Sequence, residues 1–364
     1  MRSVRRSIFS IVAVLVGVGI VMIYSASAIY AYSNMHDSLY YLKRHLIYLA
    51  AGIVMMFIAM SVDLKRIKGL SKPMMLVSIM LLVLVLVPHI GKEISGAKRW
   101  FKLGPVNFQP SEFAKIAILI YMADFIARKK ELVKSFMRGY VPAMLVLGTT
   151  VGLILLEPDL GTAVTISVIT IMMLYVSGLR VSYIIASLLA SLPLMYMLLF
   201  RVPFRRKRLM IFLNPWADKR GTGFQIIQSF IALGSGGLLG VGLGQSRQKL
   251  FYLPASHTDF IFSIIGEELG FIGTASVVVL FILFVWEGMK VVMRTSGIFE
   301  KMLSFGVVSM IALEAIINIG VTAGALPTKG LPLPFISYGG SGLMFHLVAV
   351  GLLLNAAKSC EAVR

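Results

Sequence analysis

Apolar residues run in long stretches along this chain, and polar residues fall in short clusters between them. A bilayer's hydrocarbon core needs about 20 apolar residues per crossing helix. On that criterion spans are predicted at roughly 8–30, 45–62, 71–89, 110–127, 140–156, 161–178, 182–199, 260–285, 303–323 and 341–358. The pattern predicts an all-α polytopic membrane protein of about ten transmembrane helices, one integral-membrane domain over 1–364. Its outer loops fall at about 90–109 and 200–259, the longer one between the seventh and eighth spans. The stretch Gln225–Gly244 is long enough to cross, yet it is crowded with glycine and holds Gln225, Gln228, Ser229 and Ser235. Irregular backbone survives at membrane depth only when buried in protein or lining water. A re-entrant or interfacial helix is therefore expected there.

Composition fixes the class. The 364 residues are 58% hydrophobic and 14% charged, with a mean hydropathy of +0.88, whereas soluble chains are about one quarter charged. The net charge of +19 would suggest nucleic acid in a soluble protein. Here the positive-inside bias explains much of it, with a polyanionic head group as a second cause. One cysteine, Cys360, excludes a disulfide framework and a cysteine-based metal site, and the five histidines have no HxxxH spacing. Arg2, Arg5 and Arg6 precede an apolar run without a small-residue cleavage pattern, which reads as a first span with a cytoplasmic N-terminus. Ten spans place the C-terminus on the same side.

That orientation sorts the charged loops. Lys65, Arg66 and Lys68 fall inside, as do Arg128 to Arg138, in keeping with the rule. If 225–244 does not cross, Lys290, Arg294 and Lys301 fall inside as well. Two outer loops break the rule. One holds Lys92, Lys98, Arg99 and Lys102 against Glu93. The other holds Arg201, Arg205, Arg206, Lys207, Arg208, Lys219, Arg220, Arg247 and Lys249 against Asp218 and Asp259. Long loops cross regardless of charge, which excuses the second but not the first. An anionic ligand at the outer face is the functional reading.

Several motifs carry candidate chemistry beside a structural alternative. Glu112 and Lys115 share one face of the fourth span, either as an ion pair between helices or as a polar patch below a substrate cavity. Asp159, in Glu157-Pro158-Asp159-Leu160-Gly161-Thr162, is placed to cap the sixth span, with a catalytic role as the alternative. Asp259, at the mouth of the eighth span, is either another cap or a general base beside a basic cavity. Glu267, Glu268, Glu314 and Asn318 lie within spans and need partners or water. The Gly330–Ser341 segment, with two prolines and a Gly pair, is an over-specified outer loop. Gly240-Val241-Gly242-Leu243-Gly244 has no βαβ context, so nucleotide binding is excluded.

The strings FQPSEFAK (Phe108–Lys115), EPDLGTA (Glu157–Ala163), HTDFIFSIIGEELG (His257–Gly270) and PTKGLPLPFISYGGSG (Pro327–Gly342) resemble those of the SEDS family, which comprises FtsW, RodA and SpoVE. Asn214–Ser229 and Gly240–Pro254 look closer to the FtsW/SpoVE branch. The resemblance implies a peptidoglycan glycosyltransferase that polymerises lipid II at the outer face of the bacterial cytoplasmic membrane. It implies that Asp259 is the required aspartate, and that Glu112 and Lys115 are an intramembrane pair of functional weight. It implies a class B penicillin-binding protein transpeptidase as partner, among other division-complex membrane proteins and the surrounding lipid. Glu314 stands where many relatives have a neutral Gln, which alters the cavity's charge.

In the mechanism so implied, Asp259 takes the proton of the attacking sugar hydroxyl. The lipid diphosphate meets positive charge from among Lys98, Arg99, Arg205, Arg206, Arg208, Lys249 and Lys329, with Ser337 as a further contact. A divalent cation, Mg or Mn, could share that role, held in part by the substrate's phosphates. The rival readings are a lipid II flippase, a RodA-like elongation polymerase and a non-catalytic division scaffold.

Overall fold

The fold, described in a computed structural model, covers residues 1–362 except 95, 96, 105, 202, 220, 222, 251 and 329. Thirteen α-helices follow one another among the described residues: α1 (Arg2–Met35), α2 (Tyr40–Ser61), α3 (Leu64–Gly69), α4 (Ser71–Leu86), α5 (Pro110–Lys129), α6 (Val141–Leu156), α7 (Leu160–Val176), α8 (Val181–Phe200), α9 (Pro203–Leu213), α10 (Phe224–Ser235), α11 (Ile261–Arg294), α12 (Ile298–Thr322) and α13 (Ser341–Ala362). Seven helices are long and apolar enough to cross a membrane, by length and composition. These are α1, α2, α8, α11, α12, the main part of α13, and Phe136–Leu156, which joins a π-turn to α6. The other predicted positions hold α4 and α7, shorter at 16 and 17 residues, and α5, whose 20 residues include five charged side chains.

Lipid gives helices no hydrophobic reason to associate, so close packing of small residues takes over. Helices α2 and α13 meet that way. A Cβ on Gly52 would lie 2.7 Å from Leu347, and one on Gly351 would lie 2.5 Å from the Met56 carbonyl. Asn355 then donates to the Ala59 and Val62 carbonyls, at 2.8 and 2.6 Å, satisfying the end of α2. The enclosed centre is α5, α12 and α13, while no described side chain of α8 is buried.

The two basic loops expected on the outer side are more ordered than their composition suggests. Within 90–109 an antiparallel sheet forms from β1 (Lys92–Ile94), β2 (Ala97–Leu103) and β3 (Val106–Phe108), in the order β1-β2-β3. It is a small exception to the all-α expectation. Within 200–259, α9 and α10 replace open loop. Helix α10 is 12 residues, about 18 Å at 1.5 Å per residue, too short to cross a core of about 30 Å. The non-crossing reading of 225–244 agrees with this.

Glycines 236–244 do something the sequence did not reveal. Helix α11 is broken at Gly270, which has φ 66° and ψ −162°, a conformation reserved for glycine. The backbone groups released by the break pair with the glycine-rich segment. Val241 and Gly242 N–H donate to the Glu267 and Glu268 carbonyls at 2.9 and 3.1 Å. Phe271 and Ile272 N–H donate to the Gly237 and Leu238 carbonyls at 2.9 and 3.2 Å. These pairings satisfy groups that the break would otherwise leave open, which an apolar surrounding demands.

Candidate active site

The site is built where five chain segments meet: β2, the turn between α6 and α7, α9, the loop before α11 and the loop before α13. The turn between α6 and α7 places Asp159 at the α7 N-cap, accepting from Thr162 N–H at 3.1 Å and from the Thr162 hydroxyl at 2.9 Å. The expected cap is therefore present. Arg99, on β2, grips the same turn: its Nε donates to the Glu157 carbonyl at 2.8 Å and its Nη2 to the Pro158 carbonyl at 2.6 Å. The Glu157 carboxyl is fully buried, and burial with the nearby Asp159 pushes it up to about 8, against the pull of Arg99. The rise favours its protonated form.

Asp259 sits in the loop before α11. It does not cap that helix, whose N-cap is Phe260 without a side-chain bond. Its carbonyl accepts from Asn318 Nδ2 at 2.9 Å, and the same amide holds the Leu331 carbonyl at 2.7 Å. Asn318 thus ties the Asp259 loop to the loop before α13. Gly330 lies against the carboxylate, where a Cβ would stand 2.9 Å from Oδ2. Burial pushes the Asp259 carboxyl up to about 6; Arg208 pulls it down and Asp159 adds to the rise. Arg208, on α9, is itself held below its usual range by burial, with Asp259 opposing and Arg99 adding to the effect. Its Nη1 donates to the Thr328 carbonyl at 3.5 Å. Arg208 also lines a cavity of about 400 Å³ with Lys207, Gly221, Phe224, Gln225, Pro254 and Thr328.

Arg208 is therefore within electrostatic reach of both Asp259 and Arg99. Other predicted contacts go elsewhere. Lys249 is corrected most plainly: it is buried, and its ammonium is 2.8 Å from Glu268 and 3.1 Å from the Ser25 hydroxyl. The reason is that Glu267 and Glu268 lie inside the bundle and must be satisfied. Ser25 donates to both Glu268 oxygens at 2.7 Å, and Glu267 takes the Ser246 hydroxyl and the Arg247 N–H. Segment 245–249 is a lid over two carboxylates, not a cavity wall. Ser337 is likewise a brace: its hydroxyl donates to the Thr258 carbonyl at 2.6 Å and accepts from Leu333 N–H at 2.9 Å.

Glu112 and Lys115 form the expected pair at 2.9 Å, but they are enclosed rather than lining an open surface. Lys115 also reaches Glu314 at 2.6 Å. The second Glu314 oxygen is held by His346, a residue for which no role had been read. A single polar ring in an apolar span was the only signal for it. Lys98 lies half-buried on β2, and Arg206 is exposed on α9. The Arg205 side chain and Lys329 lie outside what the structure describes. Among the described residues no three His, Cys, Asp or Glu side chains are grouped to hold a metal.

A family model described as "Cell cycle protein" and covering FtsW, RodA and SpoVE matches residues 5–362. This chain belongs to the FtsW/RodA/SpoVE family. It is 45% identical over 339 residues to the "Probable peptidoglycan glycosyltransferase FtsW" of Geobacter metallireducens, covering 93% of this chain and 90% of that one. It is 42% identical over 348 residues to the stage V sporulation protein E of Bacillus subtilis, covering 96% and 95%. In three dimensions it resembles a chain of a peptidoglycan synthase complex solved for its coordination of polymerization and crosslinking. The TM-score there is 0.79 at 31% identity, over 97% of both chains. Membership and the apolar helices together make this family member a multi-pass membrane protein.

Proposed function

We propose that the chain is a peptidoglycan glycosyltransferase of the cell-division branch, polymerising lipid II at the outer face of the cytoplasmic membrane. The observation that carries this is Asp259, a carboxylate poised near neutrality with Arg208 in reach beside a cavity. In the proposed step Asp259 accepts the proton of the acceptor sugar's 4-hydroxyl. The hydroxyl oxygen bonds to the donor's anomeric carbon, and the bond from that carbon to the lipid diphosphate breaks. The departing diphosphate moves onto Arg208, with the Arg99 charge behind it. Both guanidinium groups are already held by carbonyls, so little reorganisation opposes the transition state. Asp159 and Asn318 fix the two loops that meet there.

The termini are proposed to be cytoplasmic, and the partner to be a class B penicillin-binding protein. Crosslinking belongs to the complex that contains the structural relative. One observation favours a second reading. The break in α11 at Gly270 is the kind of discontinuous helix that transporters use, which would suit a lipid II flippase.

One reconstitution separates the two. Purified protein in proteoliposomes with labelled lipid II is expected to yield glycan ladders, and Asp259→Asn to slow them by about 10²–10⁴-fold, as loss of a general base does. Lipid transfer across the bilayer without ladders would establish the flippase. Wild-type polymerisation by Asp259→Asn would remove Asp259 from the chemistry.

A further inference from the structure

Beside the Asp259 loop lies a convergence of rings that the proposed chemistry leaves without a role. Tyr30 comes from the end of α1, Tyr40 and Tyr41 from the start of α2, His257 from the Asp259 loop, and Tyr338 from the loop before α13. Tyr41 is central: its ring centroid lies 4.5 Å from His257, 5.2 Å from Tyr338, 5.3 Å from Tyr40 and 6.2 Å from Tyr30. His257 closes the group at 5.8 Å from Tyr30 and 6.0 Å from Tyr338. None of these rings is sealed in the core; Tyr30 is 39% exposed and the others are half-buried.

The group is braced. Tyr338 N–H donates to the His257 carbonyl at 3.0 Å, and Ser337 holds Thr258 next to it. Tyr48 lies beneath, exchanging hydrogen bonds with the Asn107 backbone at 2.6 and 3.1 Å. Gly340, at φ 53°, lies against the Tyr48 ring. Burial holds His257 down to about 4, so its imidazole is neutral at pH 7. Arg44, over the Tyr40 ring at 4.8 Å, is the cation at the rim.

Tyrosines also form belts at membrane surfaces. A belt spreads single rings around the lipid-facing rim. Here the α1–α2 junction, the loop that carries Asp259 and the loop before α13, three regions distant in sequence, bring rings and a neutral histidine to one point. Pre-fixed rings bind without paying much conformational entropy. An apolar ring face with hydroxyl and imidazole edges matches a pyranose, whose C–H face is apolar and whose rim is hydroxylated. The same loop presents Pro254 to the cationic cavity. A diphosphate and a saccharide would so lie on two sides of one loop.

We propose that Tyr30, Tyr41, His257 and Tyr338 form a saccharide-binding platform that holds the glycan beside Asp259. That the saccharide is the strand under synthesis rests on the proposed function; that the platform binds sugar does not. The test uses full-length protein in nanodiscs and chitotetraose, a soluble oligosaccharide, as probe. Saturation-transfer NMR is expected to show contact between chitotetraose and wild-type aromatic protons. Tyr41→Leu and Tyr338→Leu are expected to weaken binding about 10-fold, equivalent to roughly 1.4 kcal/mol, and Tyr41→Trp to retain it. With lipid II, the leucine variants are expected to make shorter strands at a raised KM, with kcat little changed.

Undiminished chitotetraose binding in both leucine variants overturns the platform. So does a variant that loses only thermal stability, the outcome of a membrane belt. If the variants fail to fold, the His257 imidazole resonances of the wild type decide, since they must shift on titration with chitotetraose; no shift overturns the proposal. A wild type that binds chitotetraose but makes no ladders keeps the platform and sinks the polymerase reading.

Discussion

Replacing Lys115 by methionine tests how the buried charges are balanced. Its ammonium stands 2.9 Å from Glu112 and 2.6 Å from Glu314, and all three side chains are enclosed. At an effective dielectric near 20 each contact contributes roughly 6 kcal/mol of attraction before desolvation is counted. Desolvation returns much of that, so the net effect of the intact cluster is small. Removing the cation alone is different: two carboxylates remain in the protein interior, with His346 still on Glu314. Breaking one buried pair costs about 3–5 kcal/mol, and Lys115→Met is expected at the upper end. Glu314→Gln leaves the Lys115–Glu112 pair balanced and is expected to cost no more than about 1 kcal/mol, the net size of a hydrogen bond. The triple variant Glu112→Gln, Lys115→Met, Glu314→Gln should recover most of the loss, because no unpaired charge remains. Unfolding of each variant by SDS in mixed micelles gives the comparison directly. If Lys115→Met is no less stable than Glu314→Gln, charge balance does not govern this cluster.

Two further predictions follow from the site's electrostatics and from the broken helix. A base with a carboxyl near 6 is active only when deprotonated, so the polymerisation rate should rise through about pH 6 and level off above it. Arg208 pulls that value down and Asp159 raises it, so Arg208→Gln should move the acid limb to higher pH and Asp159→Asn to lower pH; a pH–rate profile of each reads this out. Gly270→Ala should cost about 2–4 kcal/mol from backbone strain and overpacking, since its Cβ would stand 2.4 Å from Gly240 N and 2.5 Å from the Leu238 carbonyl. A thermal melt in detergent checks it, and an unchanged melt would mean that the break is not needed.

Hydropathy located the long helices because lipid leaves a chain few options: backbone groups must be satisfied within the segment. The same physics made the rest hard to read. The string Gly266-Glu267-Glu268-Leu269-Gly270 looks like continuous helix, and the break at Gly270 depends on glycines some thirty residues earlier that supply the missing partners. The β1–β3 sheet is short and charged, and its pairing is set by neighbouring strands rather than by its own pattern. Charge counting marked two basic loops, and some of their basic residues are engaged by carboxylates of the chain itself. Lys249 answers Glu268, and Lys207 stands 3.1 Å from Asp218. Arg99 spends two N–H groups on the Glu157-Pro158 turn. What distinguishes Arg208 is that it lines the cavity and acts on Asp259 at once, a conjunction of α9 with the α11 approach that no local pattern in the sequence encodes. A loop's excess of positive charge therefore overcounts the cations free to meet a ligand, because carboxylates of the chain itself engage some of them first.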